Sequence, residues 1–203
     1  MVLSEAQIDA LHEMINIGMG HAAGVLNEMT KAYVQLDLPQ VRVLAVPDLR
    51  ARLAQMDHQT LSAIQMGFAA PFSGNAALVF PPESAAKLVM ILVGEDPSMP
   101  DLDEIRTETL SEVGNIVLNS VMGAIGNELE LLIDYSIPTY GETNLAPILL
   151  DETKDDSQVV WINARFMVKE HKISGDIVLI LQVETMENLL AAIARQLPAV
   201  QET

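Results

Sequence analysis

The sequence contains no cysteine. That excludes disulfides, a thiol nucleophile and thiolate metal sites, and it suits a reducing cytoplasm. Basic residues are scarce: 11 Lys and Arg stand against 28 Asp and Glu, for a formal net charge of −17. Binding to nucleic acid through phosphate neutralisation is therefore not expected. The acidic balance favours solubility, and at most it hints at partners with basic surfaces. Long hydrophobic runs are also missing. The longest apolar runs, such as "LVMILVG" (88–94) and "DIVLILQV" (176–183), fall far short of the ~20 residues needed to span a bilayer. The opening residues, "MVLSEAQIDALHE", lack a basic stretch followed by an apolar run, so no secretory signal is expected. The expectation is a soluble, cytoplasmic protein.

Familiar catalytic fingerprints are absent as well. There is no P-loop, no G-x-S-x-G and no dinucleotide motif. His12, His21, His58 and His171 show no ligand spacing such as H-E-x-x-H, and His12 and His21 read as partly exposed helix residues. The acidic segment "DETKDDSQ" (151–158) lacks the turn glycine of an EF-hand and reads as a solvated loop. No metal site and no cofactor of the chain's own are expected.

What is present is enough to fold. Half of the 203 residues are hydrophobic, so a sizeable core can form. The eleven Met read as core filler, with any exposed ones suited to an adaptable binding face. Trp161, within an apolar strand, reads as core.

A long first helix is expected after Ser4, which with Gln7 makes a capping box. Ile8, Leu11, Ile15, Ala22, Leu26, Met29 and Tyr33 recur at helical spacing and predict its buried stripe. Asp9, Glu13, Asn16 and Gly20 fall together on a separate, exposed stripe. The same helix carries Gly18, Gly20 and Gly24, although each interior Gly costs about 1 kcal/mol relative to Ala. Gly18 lies near the buried stripe, where it would admit a neighbouring helix. Gly20 lies beside Glu13 and Asn16, where a docked partner's backbone could approach.

"QVRVLAVPDL", after Pro39, reads as a strand. "AIQMGFAAPF" and "GNAALVFPP" read as a strand pair turning at Ser73 and Gly74. "ESAAKLVMILVG" reads as a helix closed by Gly94, and "EDPSMPDLDE" as an acidic connector. The pattern then recurs. "TETLSEVGNIVLNSVMGAIGNELELL" is a second long helix, with Leu110, Val113, Val117, Val121, Ala124 and Leu131 on its apolar face. "LLIDYSIP", "VVWINARFMV" and "GDIVLILQV" read as strands, and a closing helix begins near Glu184. Ser73-Gly74 lies 101 residues before Ser174-Gly175 in matching contexts.

The sharpest echo joins the helices. Asp9, Glu13, Asn16 and Pro39 form D-x3-E-x2-N-x22-P; Glu108, Glu112, Asn115 and Pro138 form E-x3-E-x2-N-x22-P, 99 residues later. These repeats predict a single α+β domain over 1–203, built from a duplicated helix–strands–helix unit (about 4–98 and 103–199). Its sheet should be largely antiparallel, covered by long helices and pseudo-two-fold. Pro39 and Pro138 read as structural, fixing the chain near a strand entry.

Glu and Asn at i and i+3 are neighbours on a helix surface. The carboxylate can pair with a partner's Lys or Arg. The amide can donate and accept at once, and so hold a water in a fixed orientation. Neither is a good nucleophile, so a catalytic role would be one of positioning. Phosphoryl transfer to water suits that role, because its catalysis is mainly geometry and charge neutralisation.

"DALHEMINIGMGHAAGVL" and "SEVGNIVLNSVM", each with its Pro at the same remove, resemble the CheC family of bacterial chemotaxis phosphatases. That family includes CheC, the shorter CheX and the flagellar-switch protein FliY; the length and the duplicated layout are most like CheC. The resemblance implies hydrolysis of the aspartyl phosphate of a CheY-type response regulator. Glu13 and Glu112 would anchor to a Lys near the regulator's active site. Asn16 and Asn115 would enter that site and orient the hydrolytic water, with Mg2+ belonging to the regulator. The resemblance also implies CheD, the receptor deamidase, as a further partner. Glu108 departs from the Asp or Ser of the family's leading position, and the second helix has Val117 and Asn119 in place of Gly18 and Gly20. The rival reading is a non-catalytic module that docks CheD, a flagellar component or a receiver domain. A third is an unrelated enzyme with a pocketed site, which would want a concave surface.

Overall fold

The computed structural model describes residues 4–30, 33–45, 48, 60–93, 102–143, 158–168, 173–183 and 186–196. Four helices and seven strands lie in these stretches. The first helix, α1 (Glu5–Thr30), starts at the expected cap. The Gln7 N–H donates to the Ser4 hydroxyl oxygen at 3.3 Å, and the Ser4 N–H donates to Gln7 Oε1 at 2.9 Å. Both are orphan donors that a capping box satisfies.

Strands β1 (Val34–Ala45), β2 (Leu61–Ala69) and β3 (Gly74–Phe80) follow, then α2 (Pro82–Val93). The second half opens on α3 (Leu102–Glu128). It continues through β4 (Asp134–Tyr135), β5 (Thr139–Thr143), β6 (Gln158–Val168), β7 (Ile173–Val183) and α4 (Met186–Gln196). Every strand pair is antiparallel. The sheet runs β1-β6-β7-β3-β2-β4, with β5 also paired to β2. The fold is α+β.

This order is unchanged when the two halves are exchanged. The first strand of each half pairs with the second strand of the other, and the third strands pair across the centre. Leu78 and Leu179 face each other in that central pair, each five residues beyond the serine of its Ser-Gly dipeptide. The halves even break alike. β1 shifts register between Asp37 and Gln40, where Pro39 sits; Ser136–Pro138 separate β4 from β5 at the corresponding place. Proline has no N–H to give to a ladder and is confined to such irregularities. Pro39 thus lies inside β1, not at its entry as the sequence suggested, whereas Pro138 immediately precedes β5.

The helices pack on the sheet and on one another, α1 against α3 most extensively. Leu11, Ile15, Ala22 and Leu26 of α1 are buried, as are Leu110, Val113, Val117, Val121 and Ala124 of α3. Of the rest of the expected α1 stripe, Ile8 is half-buried, and Met29 is 47% and Tyr33 50% exposed. The helix stops at Thr30, so Tyr33 leaves the helical register. Leu131, also beyond its helix, is half-buried. α3 starts at Leu102, taking in the end of the acidic connector, and stops at Glu128, before the expected Leu132. Its end is a Schellman arrangement: the Leu131 N–H reaches the Gly126 carbonyl at 2.8 Å, with Glu130 at φ 55°. The run from Ala76 to Phe80 in β3 is buried on both faces, as expected for a central strand without alternation. Trp161 is buried, and so are Met14, Met19, Met66 and Met122. Gly94 and most of the acidic loop at 151–158 lie outside the described residues.

Candidate functional site

Each Glu–x–x–Asn pair rides on a helix whose opposite side is committed to the core. On α1, Met14 and Ile15 are buried while Asp9, Glu13, Asn16 and Gly20 are exposed. On α3, Val113 and Gly114 are buried while Glu108, Glu112 and Asn119 are exposed and Asn115 is partly so. Gly114 explains how closely α3 sits on the sheet: a Cβ there would come within 2.6 Å of the Ile64 side chain on β2. The 3.6-residue period does the rest, sending residues 112 and 115 away from the strands.

The two ridges belong to helices in direct contact. A Cβ on Gly18 would lie 2.4 Å from Val121 Cα and 2.8 Å from the Ser120 carbonyl oxygen, so α3's backbone touches α1 at this glycine. Gly18 admits a neighbouring helix, as its place near the buried stripe suggested. A Cβ on Gly20 or Gly24 would meet nothing within 4 Å. The ridge beyond Asn16 is therefore bare, accessible backbone.

Among the described residues, neither Glu13 nor Glu112 has an ion-pair partner in the chain. Their carboxylates are left for something else. The Arg106 guanidinium pairs with Glu142, whose Oε1 also accepts from the Tyr140 hydroxyl at 3.1 Å. That contact ties the start of α3 to β5. Asn115 is engaged locally, its Oδ1 accepting a hydrogen bond from Asn119 Nδ2. Asn16 has no such partner among the described residues. The sequence carried a signal for the Asn115–Asn119 link, since residues four apart on a helix are neighbours, but its consequence was missed.

Other candidates stand apart. Pro39 and Pro138 sit in the sheet at equivalent breaks. His12 and His21 are on α1, and His58 and His171 lie outside the described residues. Among the described residues no group of His, Asp and Glu could hold a metal ion, and no helix is long and apolar enough to cross a membrane. Burial raises the Tyr135 phenol above its ordinary value, but it lies on β4, off both ridges. What each ridge offers is an exposed carboxylate, without an ion-pair partner among the described residues, and an amide three residues on.

No family model matches the sequence. Four curated proteins do. The CheY-P phosphatase CheC of Bacillus subtilis is 24% identical over 160 residues, covering 77% of this chain and 76% of that protein. The flagellar motor switch phosphatase FliY of Bacillus subtilis is 26% identical over 171 residues, covering 83% of this chain. The chain spans 44% of that FliY's length. Among solved structures, Thermotoga maritima FliY superposes with a TM-score of 0.78 at 17% identity, covering 97% of this chain and 100% of that one. A CheX from Borrelia burgdorferi, crystallised with CheY, BeF3 and Mg2+, gives 0.54 at 14% identity, with 83% and 96% covered. These structural likenesses establish the fold.

Proposed function

We propose that this chain belongs with the CheC, CheX and FliY chemotaxis proteins it resembles, and that it hydrolyses the aspartyl phosphate of a CheY-like receiver domain. The phosphatase activity for which the CheC and FliY relatives are named supports the reaction, and the CheX–CheY complex supports a receiver as partner. One observation carries the reading to particular residues. A Glu–x–x–Asn pair lies on each of two packed helices, its glutamate exposed and without an ion-pair partner among the described residues.

In this reading Glu13 or Glu112 docks against a basic group beside the receiver's phosphorylated aspartate. Asn16 or Asn115 enters the receiver's site and holds a water in line with phosphorus. The water oxygen bonds to phosphorus as the bond to the aspartyl oxygen breaks; the carboxylate and inorganic phosphate leave, and the water's proton passes to solvent. The amide takes no proton and forms no bond. An aligned water supplies a factor on the order of 10², about 2.7 kcal/mol of barrier. Mg2+ is the receiver's own. Asp9 and Glu108 flank the pairs, and Gly20 leaves room for the receiver's backbone. The single duplicated domain, with repeats at about 4–98 and 103–199, is part of this proposal, as is a cytoplasmic setting.

The test is phosphate release from a purified, phosphorylated receiver. Asn16→Ala with Asn115→Ala should leave the circular dichroism spectrum unchanged and return release to the receiver's intrinsic rate. Normal stimulation by the double variant would rule the mechanism out. A wild-type chain that binds the receiver or CheD without speeding release would instead favour a docking module.

A further inference from the structure

The two ridges differ one helical turn beyond the asparagine. On α3 the residue there is Asn119, whose Nδ2 donates to Asn115 Oδ1. On α1 it is Gly20, which offers no side chain. Asn115 is partly buried, while Asn16 is exposed.

We infer that Asn119 is a positioning residue for Asn115, making the second site pre-organised and the first not. The inference rests on the reading that Asn115 orients the attacking water. A carbonyl oxygen has two lone pairs. Asn119 takes one, so the other and the whole NH2 group remain free for a water. An untethered side chain pays for its lost rotamers when the complex forms; Asn115 has already given up part of that freedom. Because the tether acts on alignment, it should show in kcat and not in KM, which Glu112 governs through docking. Ala at 119 favours the helix more than Asn does, and the position is exposed, so the fold should survive its replacement.

The experiment isolates each site in the full chain. Asn16→Ala leaves only the second site, and Asn115→Ala only the first. The second-site chain should show the higher kcat for phosphate release. Adding Asn119→Ala to it should lower kcat roughly 3- to 10-fold, about 0.7–1.4 kcal/mol, with KM changed less than twofold. Asn119→Asp, nearly the same shape but without a donor, should lose as much. Either change should leave the first-site chain unaffected. A readout free of activity is the Asn115 side-chain amide in 15N relaxation, which should be more ordered than that of Asn16 and should loosen in Asn119→Ala. If wild type stimulates release but the 119 variants match the Asn16→Ala chain, the positioning role is overturned while the phosphatase reading stands. If wild type gives no stimulation, the phosphatase reading fails and the inference about catalysis falls with it. Equal order at Asn16 and Asn115 would overturn the tether itself.

Discussion

Two glycines two residues apart on α1 have opposite reasons to be there. Gly18 is structural: any Cβ would press on the Val121 Cα at 2.4 Å, and a backbone cannot swing aside as a side-chain tip can. Gly18→Ala should therefore destabilise the protein by about 1–3 kcal/mol, the usual size of core overpacking, with a lower thermal midpoint. Gly20 has open space around it. Gly20→Ala should stabilise the protein by up to about 1 kcal/mol through helix propensity alone. The bare ridge beside Asn16 gives Gly20 a use that a side chain would spoil. In a chain carrying Asn115→Ala, Gly20→Ala should raise KM for the phosphorylated receiver while raising the melting temperature. A KM left unchanged would mean that no partner backbone rests there.

At the scale of elements, α3 ends under local strain. Glu130 sits at φ 55°, a conformation that costs an L-residue with a Cβ about 1–2 kcal/mol. It is held there by the Leu131-to-Gly126 hydrogen bond. Glu130→Gly keeps the bond and removes the penalty, so denaturant melts should show about 1 kcal/mol of added stability; a loss would mean that the glutamate side chain itself supports the turn. This helix end also shows where the sequence misleads. "NELELL" continues the apolar period, so nothing in it announces a stop before Leu132. The signal that Glu130 would turn left-handed depends on packing around Gly126 and Ile133. β1 was misread for a related reason. A proline is expected at a strand's start, yet the strand begins at Val34 and passes Pro39 through a register shift. The face of each long helix was legible, because Ile15, Leu26, Val113 and Val117 repeat at helical spacing. The exposure of Glu13, Asn16 and Glu112 followed from the same count.

At the scale of the whole molecule, the spacing of Asn16, Asn115 and their prolines suggested a duplication, but nothing in it suggested the exchange of strands between the halves. No local pattern says that β1 will pair with β6 or that β5 will pair with β2; those pairings are long-range and are chosen by the burial of both halves together. That exchange makes a firm prediction. Cut between the repeats, the first half would keep the β2–β3 hairpin and leave β1 without its partner. The second half would keep β6–β7 and leave β5 without its own. The central β3–β7 pair would be lost from both, exposing Leu78 and its buried neighbours. Two-stranded hairpins are at best marginally stable in water, and a helix packed on one gains too little. Residues 1–98 and 99–203 expressed separately should each melt without a sigmoidal transition. Mixed and refolded together, they should recover a cooperative transition at a midpoint that rises with concentration, because association now supplies the folding free energy. A cooperative transition from either half alone would show that a repeat can close its own core, and that the strand exchange does not bind the two ridges into one folding unit.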